Sequence, residues 1–266
     1  MFLPDFHTHT RFSPDSEALA QDMALAAKGA GMDALCLTDH LDFLDFQGNF
    51  VGLGGHTLPF YPPGELPALA PPGLTLYSGV ELGEPWADPA LADRVAACPG
   101  LDFILGSAHN LDPDHGGQDF YFFRYDSEET CHEILDAYVG RLEVLSAMPC
   151  FDSLAHVIYP LRYMNDRDGN HVSLKPYYPR LEKVFRTLAK QGRSLELNTT
   201  RGGQVEPWRP ILALYKDCGG ELVTLGSDAH TPQDVGKGIK AGAALIREYG
   251  LRPTVYEKRQ PKPVTL

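Results

Sequence analysis

Two pairs of polar residues in the sequence have the types and the spacing of metal ligands. His7 and His9 form an H-x-H pair at the end of the first apolar run, and Asp228 and His230 form a D-x-H pair after a later one. In an extended segment residues i and i+2 face the same way, so each pair presents two ligands to one side. One pair alone is weak evidence for a metal, because an isolated histidine is commonly a buried structural residue. Whether the two pairs lie close together depends on the secondary-structure elements that contain them.

Short apolar runs rich in β-branched residues alternate with helical patterns along the chain. This alternation predicts repeated β-α units and an α/β fold with parallel strands. Strands are predicted at residues 3–7, 32–39, 74–82, 101–109, 152–157, 194–199 and 222–230. Helices are predicted at about 16–30, 89–97, 127–147, 176–191, 207–218 and 233–249, and Ser16, Asp88 and Ser127 are expected to cap the first three. Seven such units are one short of an eight-stranded barrel, so we expect the parallel strands to close into a TIM-like barrel.

Nine residues that can bind a metal lie at the carboxyl ends of the predicted strands or in the loops that follow them. In a β/α barrel this edge is where functional sites are built. The nine are His7, His9, Asp15, His40, Glu81, His109, His156, Asp228 and His230. A catalytic zinc-type ion takes about three protein ligands, so the set suits two or three ions that share one carboxylate, with Glu81 as the natural bridge. Imidazole and carboxylate ligands without a thiolate favour Zn, Mn or Fe.

The composition argues against several classes of protein. The formal net charge is −12, which repels the phosphate backbone of nucleic acids, and no run of Lys and Arg offsets it. The five cysteines are an odd number without C-x-x-C spacing, which argues against a disulfide framework and a zinc ribbon. The sequence shows neither a secretory leader nor an apolar run of about 18 residues. We therefore expect a soluble cytoplasmic protein that binds neither nucleic acid nor membrane, and its oligomeric state stays open.

One domain is expected over residues 1–266, because neither a linker nor an internal repeat divides the chain. Residues 41–73 interrupt the β-α rhythm and hold many of the glycines and prolines. Long loops of this kind in compact domains are usually functional or disordered. We interpret the segment as a loop insert that could act as a lid.

The motifs around the nine residues resemble those of the PHP family, named for polymerases and histidinol phosphatases. They are H-x-H at the first strand, T-D-H after the second, Glu81 at the third, G-S-x-H at the fourth, A-H at the fifth and G-S-D-A-H at the seventh. The resemblance covers nearly the whole chain. It implies a distorted seven-stranded barrel that holds three metal ions.

The resemblance also implies how the ligands divide among the ions. By position, His7, His9, Glu81 and Asp228 would hold the first ion. Glu81, His109 and His156 would hold the second. Asp15, His40 and His230 would hold the third, although some members of the family have histidine where Asp15 stands.

Two further segments are similar to the histidinol-phosphate phosphatases of this family. They are LELNTTRGG at 195–203 and LGSDAHTPQDVGKG at 225–238. The similarity implies hydrolysis of L-histidinol phosphate, a small phosphorylated substrate of histidine biosynthesis, with two to three divalent ions as cofactors.

Two ions that share Glu81 can hold a water between them and lower its pKa toward neutrality, ready for in-line attack on phosphorus. We expect catalytic roles for Glu81, Asp228 and His230, with His230 or a coordinated water as the acid for the leaving group. The arginines expected to bind phosphate oxygens through their bidentate fork are Arg11, Arg162 and Arg201. The acids expected to face the amine and imidazole of the alcohol are Asp42, Asp45 and Glu84.

Three alternatives remain at this point. The same site could act on another monoester, such as a phosphotyrosine or a nucleoside phosphate, because a fold fixes the chemistry better than the substrate. A metal-dependent amidohydrolase also has H-x-H on its first barrel strand, but no lysine closes a predicted strand here. A metal-binding accessory domain of a DNA polymerase is disfavoured by the acidic charge.

Overall fold

Ten strands form one sheet in the computed structural model, which describes residues 2–62, 64–203 and 205–265. The strands are β1 (Pro4–Asp5), β2 (Ala34–Leu37), β3 (His40–Asp42), β4 (Thr75–Gly83), β5 (Phe103–Ser107), β6 (Ser153–Leu154), β7 (Ser194–Asn198), β8 (Leu222–Gly226), β9 (Arg252–Glu257) and β10 (Gln260–Pro263). Their order is β1-β2-β4-β5-β6-β7-β8-β9-β10, and β3 pairs with the carboxyl half of β4. Neighbours pair in parallel, except β9 and β10. The predicted α/β class with a parallel sheet is confirmed.

The seven predicted strands correspond to β1, β2 and β4 to β8, and the count of seven was too low because β3, β9 and β10 were missed. β3 has only three residues and begins at His40, where the sequence indicates a loop. β9 and β10 form an antiparallel hairpin that contains Pro253, Pro261 and Pro263. Proline in a strand is confined to edges and strand starts, so a proline-rich segment predicts poorly as a strand.

Eight α-helices accompany the strands in the described part of the chain. They are α1 (Ala20–Gly29), α2 (Glu65–Leu69), α3 (Pro89–Ala96), α4 (Glu128–Ala147), α5 (Tyr159–Leu161), α6 (Tyr178–Gln191), α7 (Arg209–Asp217) and α8 (Ile239–Glu248). A π-helical turn, Arg162–Arg167, continues α5 through a segment predicted as loop. None of the described helices is long and apolar enough to cross a membrane.

Two of the three predicted helix caps are confirmed. The Asp88 side chain accepts from the backbone N–H of Leu91 at the start of α3, and the Ser127 side chain accepts from that of Thr130 at the start of α4. Each contact satisfies a backbone donor that has no partner within the helix. Ser16 is not a cap, because α1 begins four residues later at Ala20 and its first turn has no side-chain cap. The Ser16 hydroxyl instead donates to the backbone oxygen of His230.

The ends of the parallel array come together at β1 and β8. The backbone N–H of Phe6 donates to the oxygen of Leu225 at 2.7 Å, and that of Asp228 donates to the oxygen of His7 at 2.9 Å. Thr8 forms a parallel bridge with Ala229 one residue further on. The H-x-H and D-x-H segments therefore run side by side.

Hydrophobic residues are buried on both faces of the sheet. The larger cluster holds residues from all eight helices together with the strand side chains that face them. A smaller cluster contains Phe6, Phe103 and Tyr256. The Tyr256 hydroxyl also contacts Ser194 at the start of β7, so the β9–β10 hairpin covers the amino ends of the strands. This arrangement leaves the carboxyl ends free to build a site.

The 41–73 segment contains the end of β3 and the short helix α2, with turns between them. Phe60, Tyr61 and Leu66 are buried in the core, and the Tyr61 hydroxyl lies 2.6 Å from Oγ1 of Thr10 beside the H-x-H pair. Pro63, within the predicted insert, lies outside the described residues. The segment is thus anchored to the sheet at several points, and its action as a lid stays a prediction.

Candidate metal centre

The nine predicted ligands come together at the carboxyl ends of the strands. Seven of them line one cavity of about 600 Å³, namely Asp15, His40, Glu81, His109, His156, Asp228 and His230. His7 and His9 are fully buried and contact this set from within the sheet. The parallel strands explain the convergence, because each strand delivers its carboxyl end to the same edge.

Four side chains form the first group: His7, His9, Glu81 and Asp228. Oε2 of Glu81 lies 3.1 Å from Nε2 of His7 and 3.5 Å from Nε2 of His9. Oδ1 of Asp228 lies 3.7 Å and 3.5 Å from the same two nitrogens. Two imidazole nitrogens and two carboxylate oxygens thus face one point, as a metal ion requires.

The other oxygen of Glu81 faces the second group, which consists of Glu81, His109 and His156. Oε1 of Glu81 lies 3.0 Å from Nε2 of His109 and 2.8 Å from Nε2 of His156. The two nitrogens are 3.3 Å apart. Glu81 therefore faces both groups, one oxygen to each, in the bridging position expected for it.

The third group is Asp15, His40 and His230. Oδ2 of Asp15 lies 3.0 Å from Nε2 of His230, and Oδ1 lies 3.8 Å from Nε2 of His40. The ring of His9 stacks between those of His40 and His230, with centroids 4.3 Å and 4.0 Å away. Asp15 is the most exposed member, at 43% of its side-chain surface, so this group lies at the cavity mouth.

Several nitrogens in these groups lack the hydrogen bonds that buried polar atoms normally make. Nε2 of His7, His9 and His230 is buried and has no hydrogen-bond partner among the residues that the structure describes. Buried polar atoms are nearly always paired, so each unpaired atom needs an explanation. A metal ion explains all three, because a neutral imidazole nitrogen is a ligand rather than a donor.

The pKa shifts in the cluster show where positive charge is favoured. Burial alone would lower the pKa of His7, but the carboxylates of Glu81, Glu196 and Asp228 raise it well above its usual range. Burial and the neighbouring histidines, by contrast, hold the pKa of His9 well below its usual range. The carboxylates therefore favour a cation at a place where the buried His9 resists protonation, and a metal ion meets both conditions.

A family model described as "PHP domain" matches residues 5–200 of this chain. The chain belongs to the PHP domain family. The match includes six of the proposed histidine and glutamate ligands and ends just before Arg201.

Several known proteins resemble this chain over nearly its whole length. It is 27% identical to a histidinol-phosphatase of Lactococcus lactis subsp. lactis and 26% identical to a probable histidinol-phosphatase of Thermotoga maritima, in each case over 92% of this chain and 91% of the relative. Its structure matches a crystal structure of the histidinol phosphate phosphatase of Lactococcus lactis complexed with Zn, L-histidinol and phosphate. That match has a TM-score of 0.79 and 25% identity, and covers 98% of both chains.

Two of the three predicted arginines reach the cavity of the PHP domain. Nη1 of Arg162 lies 3.2 Å from Oδ2 of Asp228, and its guanidinium lies over the ring of Tyr159 at 4.8 Å. Arg201 donates from Nε to the backbone oxygen of Asp228, and its Nη2 lies 3.2 Å from Nδ1 of His230. Both arginines therefore flank the first and third groups, where an anion would meet the metals.

Arg11 lies in a neighbouring cavity of about 440 Å³ rather than in the one that holds the three groups. This second cavity is lined by the 41–73 segment and shares His40 and Asp42 with the main one. Asp45 also lines it, whereas Glu84 lines neither cavity. The Glu84 carboxylate is buried and accepts from the backbone N–H groups of His109 and Asn110, so it supports a ligand loop instead of facing substrate.

Several supporting side chains hold the histidines in place. Oγ of Ser13 lies 3.0 Å from Nδ1 of His9 and donates to Oδ1 of Asp39. Asp42 accepts from Nδ1 of His109 at 3.1 Å. Such partners fix the orientation and the proton position of a ligating imidazole. Asp39 thus orients His9 through Ser13.

Glu196 and Ser107 were not identified from the sequence. Ser107 donates to Oε1 of Glu81 at 2.7 Å, and Oε1 of Glu196 lies 2.7 Å from Nδ1 of His7. Glu196 lies in the LELNTTRGG segment and is a carboxylate between two leucines of a predicted strand, but it was not singled out there. Ser107 lies in the G-S-x-H motif of the fourth strand, of which only His109 was singled out.

Proposed function

We propose that this PHP domain hydrolyses L-histidinol phosphate to L-histidinol and phosphate with the help of bound metal ions. The observation that carries the proposal is one cavity at which clustered imidazoles and carboxylates that could hold metal ions adjoin two arginines. The names and coverage of the relatives support the choice of substrate. We infer further that residues 1–266 form a single domain, and a location in the cytoplasm stays an expectation from the sequence.

The nine ligands would hold two to three divalent ions in the three groups, with Zn, Mn or Fe as the metals that suit them. Bound there, the ions lower the pKa of a coordinated water and withdraw charge from phosphate oxygens. Glu81 faces two groups and keeps their ligands within 3.5 Å of its two oxygens. Its catalytic role is to fix the spacing between the first and second groups.

Arg162 and Arg201 would bind the phosphate oxygens. A guanidinium matches a phosphate through two parallel N–H donors and stays charged at every physiological pH. Asp228 orients Arg162 from one side, and Thr200 accepts from its Nη2 on the other. The fork is therefore held in place before substrate arrives, which is how charge stabilisation in a transition state is made effective.

His230 would supply the leaving-group proton or bind the third ion, but not both at once. Each role uses Nε2, which lies 3.0 Å from Oδ2 of Asp15. Asp15 is the most exposed member of the third group, so a proton on Nε2 of His230 would lie near the cavity mouth. If Nε2 of His230 held an ion, this imidazole could not donate the proton, and the acid would have to be another group.

The walls of the cavity suit a cationic alcohol. The carboxylates of Asp42 and Asp119 line the cavity, and the aromatic side chains of Tyr121, Phe122 and Tyr163 lie at its edge. Acidic groups attract an amine, and aromatic faces stack on a flat heterocycle such as imidazole. The same aromatic edge would accept the ring of a phosphotyrosine, which makes that monoester the second candidate substrate.

We propose that the sheet closes into a distorted barrel through the contacts between β1 and β8. The hydrogen bonds of Phe6 with Leu225 and of Asp228 with His7 support this closure. A closed sheet would bring the first and last pairs of ligands together, since they lie at opposite ends of the chain.

The test is phosphate release from a panel of monoesters by protein whose metals have been counted. The panel is L-histidinol phosphate, phosphotyrosine, AMP and glucose 6-phosphate. We expect kcat/KM for L-histidinol phosphate to exceed the others by at least about 10²-fold, because a site built for an amine and an imidazole rejects substrates that lack them. A preference for phosphotyrosine would favour the second candidate. If metals are present but no monoester releases phosphate, the result would favour the amidohydrolase alternative.

A further inference from the structure

Glu196 connects two of the three groups without belonging to either. Its side chain is buried in β7, with 1% of its surface exposed. Oε1 lies 2.7 Å from Nδ1 of His7, a member of the first group. Oε2 accepts from the backbone N–H of His156, a member of the second group, at 2.8 Å.

The contact with His7 determines which nitrogen of the imidazole is free to bind a metal. A carboxylate only accepts hydrogen bonds, so Nδ1 of His7 must carry the proton. The lone pair is then on Nε2, which lies 3.1 Å from Oε2 of Glu81 within the first group. Glu196 thus selects the form of His7 that can act as a ligand.

The contact with His156 fixes the backbone from which the second histidine projects. Nε2 of His156 lies 2.8 Å from Oε1 of Glu81, on the far side of that carboxylate from His7. The Glu196 carboxylate therefore fixes the positions of His7 and His156, which face the two oxygens of Glu81. A movement of Glu196 would shift a ligand of the first group and a ligand of the second group together.

Neighbouring residues restrict the position of the Glu196 carboxylate. Nδ2 of Asn198 also donates to Oε1, at 3.3 Å. Across the sheet, a Cβ at Gly226 would lie 2.4 Å from Oε1 of Glu196 and 2.4 Å from Cβ of His7. Only glycine at this position of β8 leaves room for the Glu196–His7 contact.

We infer that Glu196 is a positioning residue that couples metal binding in the first group to metal binding in the second. The inference rests on the proposed metal-dependent function but not on the identity of the substrate. Because both partners of Glu196 are donors, an amide cannot replace it. Gln has one acceptor oxygen, so it must turn its NH₂ either toward Nδ1 of His7 or toward the N–H of His156. If the NH₂ faces His7, Nδ1 must accept and the His7 proton moves to Nε2. If the NH₂ faces His156, it meets the backbone N–H of that residue, and two donors face each other.

The experiment compares Glu196→Gln with wild-type protein by counting ions per chain during dialysis against a graded series of Zn²⁺ chelator buffers. We expect two ions to be lost together, with an affinity about 10–100-fold lower, as supporting-residue changes commonly cause, while the third-group ion is retained. Glu196→Asp, which keeps both oxygens but withdraws them by one methylene, should weaken the same two ions. Its behaviour provides a second test if the Gln variant fails to fold.

The matched control is Asp152→Asn. Asp152 is also a buried carboxylate that accepts from a backbone N–H, that of Ile104, but it lies at the amino end of β6, where no predicted ligand contacts it. This variant should bind metal like the wild type even where its thermal stability falls. Wild-type affinity in Glu196→Gln, or the loss of one ion alone, would overturn the inference. A wild-type protein that released no phosphate would refute the proposed function and leave the metal measurement unaffected.

Discussion

Arg162 and Asp228 form a half-buried ion pair at the border between the phosphate-binding arginines and the metal ligands. Nη1 of Arg162 lies 3.2 Å from Oδ2 of Asp228, while Oδ1 of the same carboxylate faces His7 and His9. Burial would lower the pKa of Arg162, but Asp228 reverses the effect and raises that pKa above its usual value. Arg162 is thus positively charged and fixed in orientation.

Arg162→Ala should lower kcat/KM for the preferred monoester by about 10²–10³-fold, as expected for the loss of one oriented donor to the transition state. Arg162→Lys should recover only part of this loss, because an ammonium has neither the planar fork nor the stacking on Tyr159. Steady-state kinetics measures the effect. Metal content is the control, and near-wild-type kcat/KM in Arg162→Ala would remove Arg162 from the site.

His9→Ala and Asp228→Ala should each abolish turnover while the fold persists. Both remove a ligand of the first group, and the charge stabilisation supplied by a metal is worth several kcal/mol, so the rate should fall by at least about 10³-fold. Phosphate release gives the rate, and far-UV circular dichroism checks the fold. Retained activity in either variant, with its metals counted, would contradict the assignment of the first group.

The buried carboxyl of Asp119 should make stability depend on pH in a defined direction. Burial raises the pKa of Asp119 above its usual value, although the nearby His109 and the hydrogen bond from Tyr121 N–H oppose the shift. A raised pKa means that the folded state binds the proton more tightly than the unfolded state. The stability this contributes is complete below the unfolded pKa and is lost as pH rises through the folded pKa.

Asp119→Asn removes this titration, so the variant should gain stability relative to the wild type as pH rises above the unfolded pKa of about 4. Urea unfolding of both proteins at several pH values measures the difference. A difference that stays constant with pH, or that changes in the opposite direction, would show that Asp119 does not titrate as proposed.

Gly226→Ala should damage the site through crowding rather than through any lost polar group. The new Cβ would lie 2.4 Å from Oε1 of Glu196, a distance that forces the carboxylate or the strand to move. Overpacking of this kind costs about 1–3 kcal/mol, and metal affinity should fall with it. Gly29→Ala in α1 is the matched control, since its added Cβ meets no described atom within 4 Å apart from its chain neighbours and its own helix backbone. This variant should be neutral or stabilising by about 0.5–1 kcal/mol. Thermal unfolding with metal counting separates the two, and unchanged metal affinity in Gly226→Ala would show that the contact is dispensable.

That the nine ligands lie close together was predictable from two sequence patterns, the alternation of strands with helices and the two-residue spacing within a strand. Alternation of strands and helices places every carboxyl end at one edge, and spacing of two residues turns each pair toward the same side. His7 and Asp228 illustrate this, since they are 221 positions apart in number and yet their segments share a backbone hydrogen bond. Arg162 and Arg201 were found by the same reasoning about strand ends.

The remaining features depend on contacts that no local pattern encodes. Glu196 stands in an apolar strand, and its role appears only when His7 and His156 reach it from other strands. Arg11 follows the first strand more closely than Asp15 does, yet it lies in the neighbouring cavity. The β9–β10 hairpin was not predicted from the sequence, because its prolines are unusual in strands.

The most direct test of the account is phosphate release from L-histidinol phosphate before and after metal removal, measured on one sample with counted ions. Chelation should abolish turnover and lower the unfolding midpoint by at least about 5 °C, because ligands that bind only the folded state stabilise it by several kcal/mol. Addition of Zn²⁺ or Mn²⁺ should restore activity in proportion to the ions bound, up to two or three per chain. Full activity in verified metal-free protein would contradict the assignment of the three groups as a metal centre.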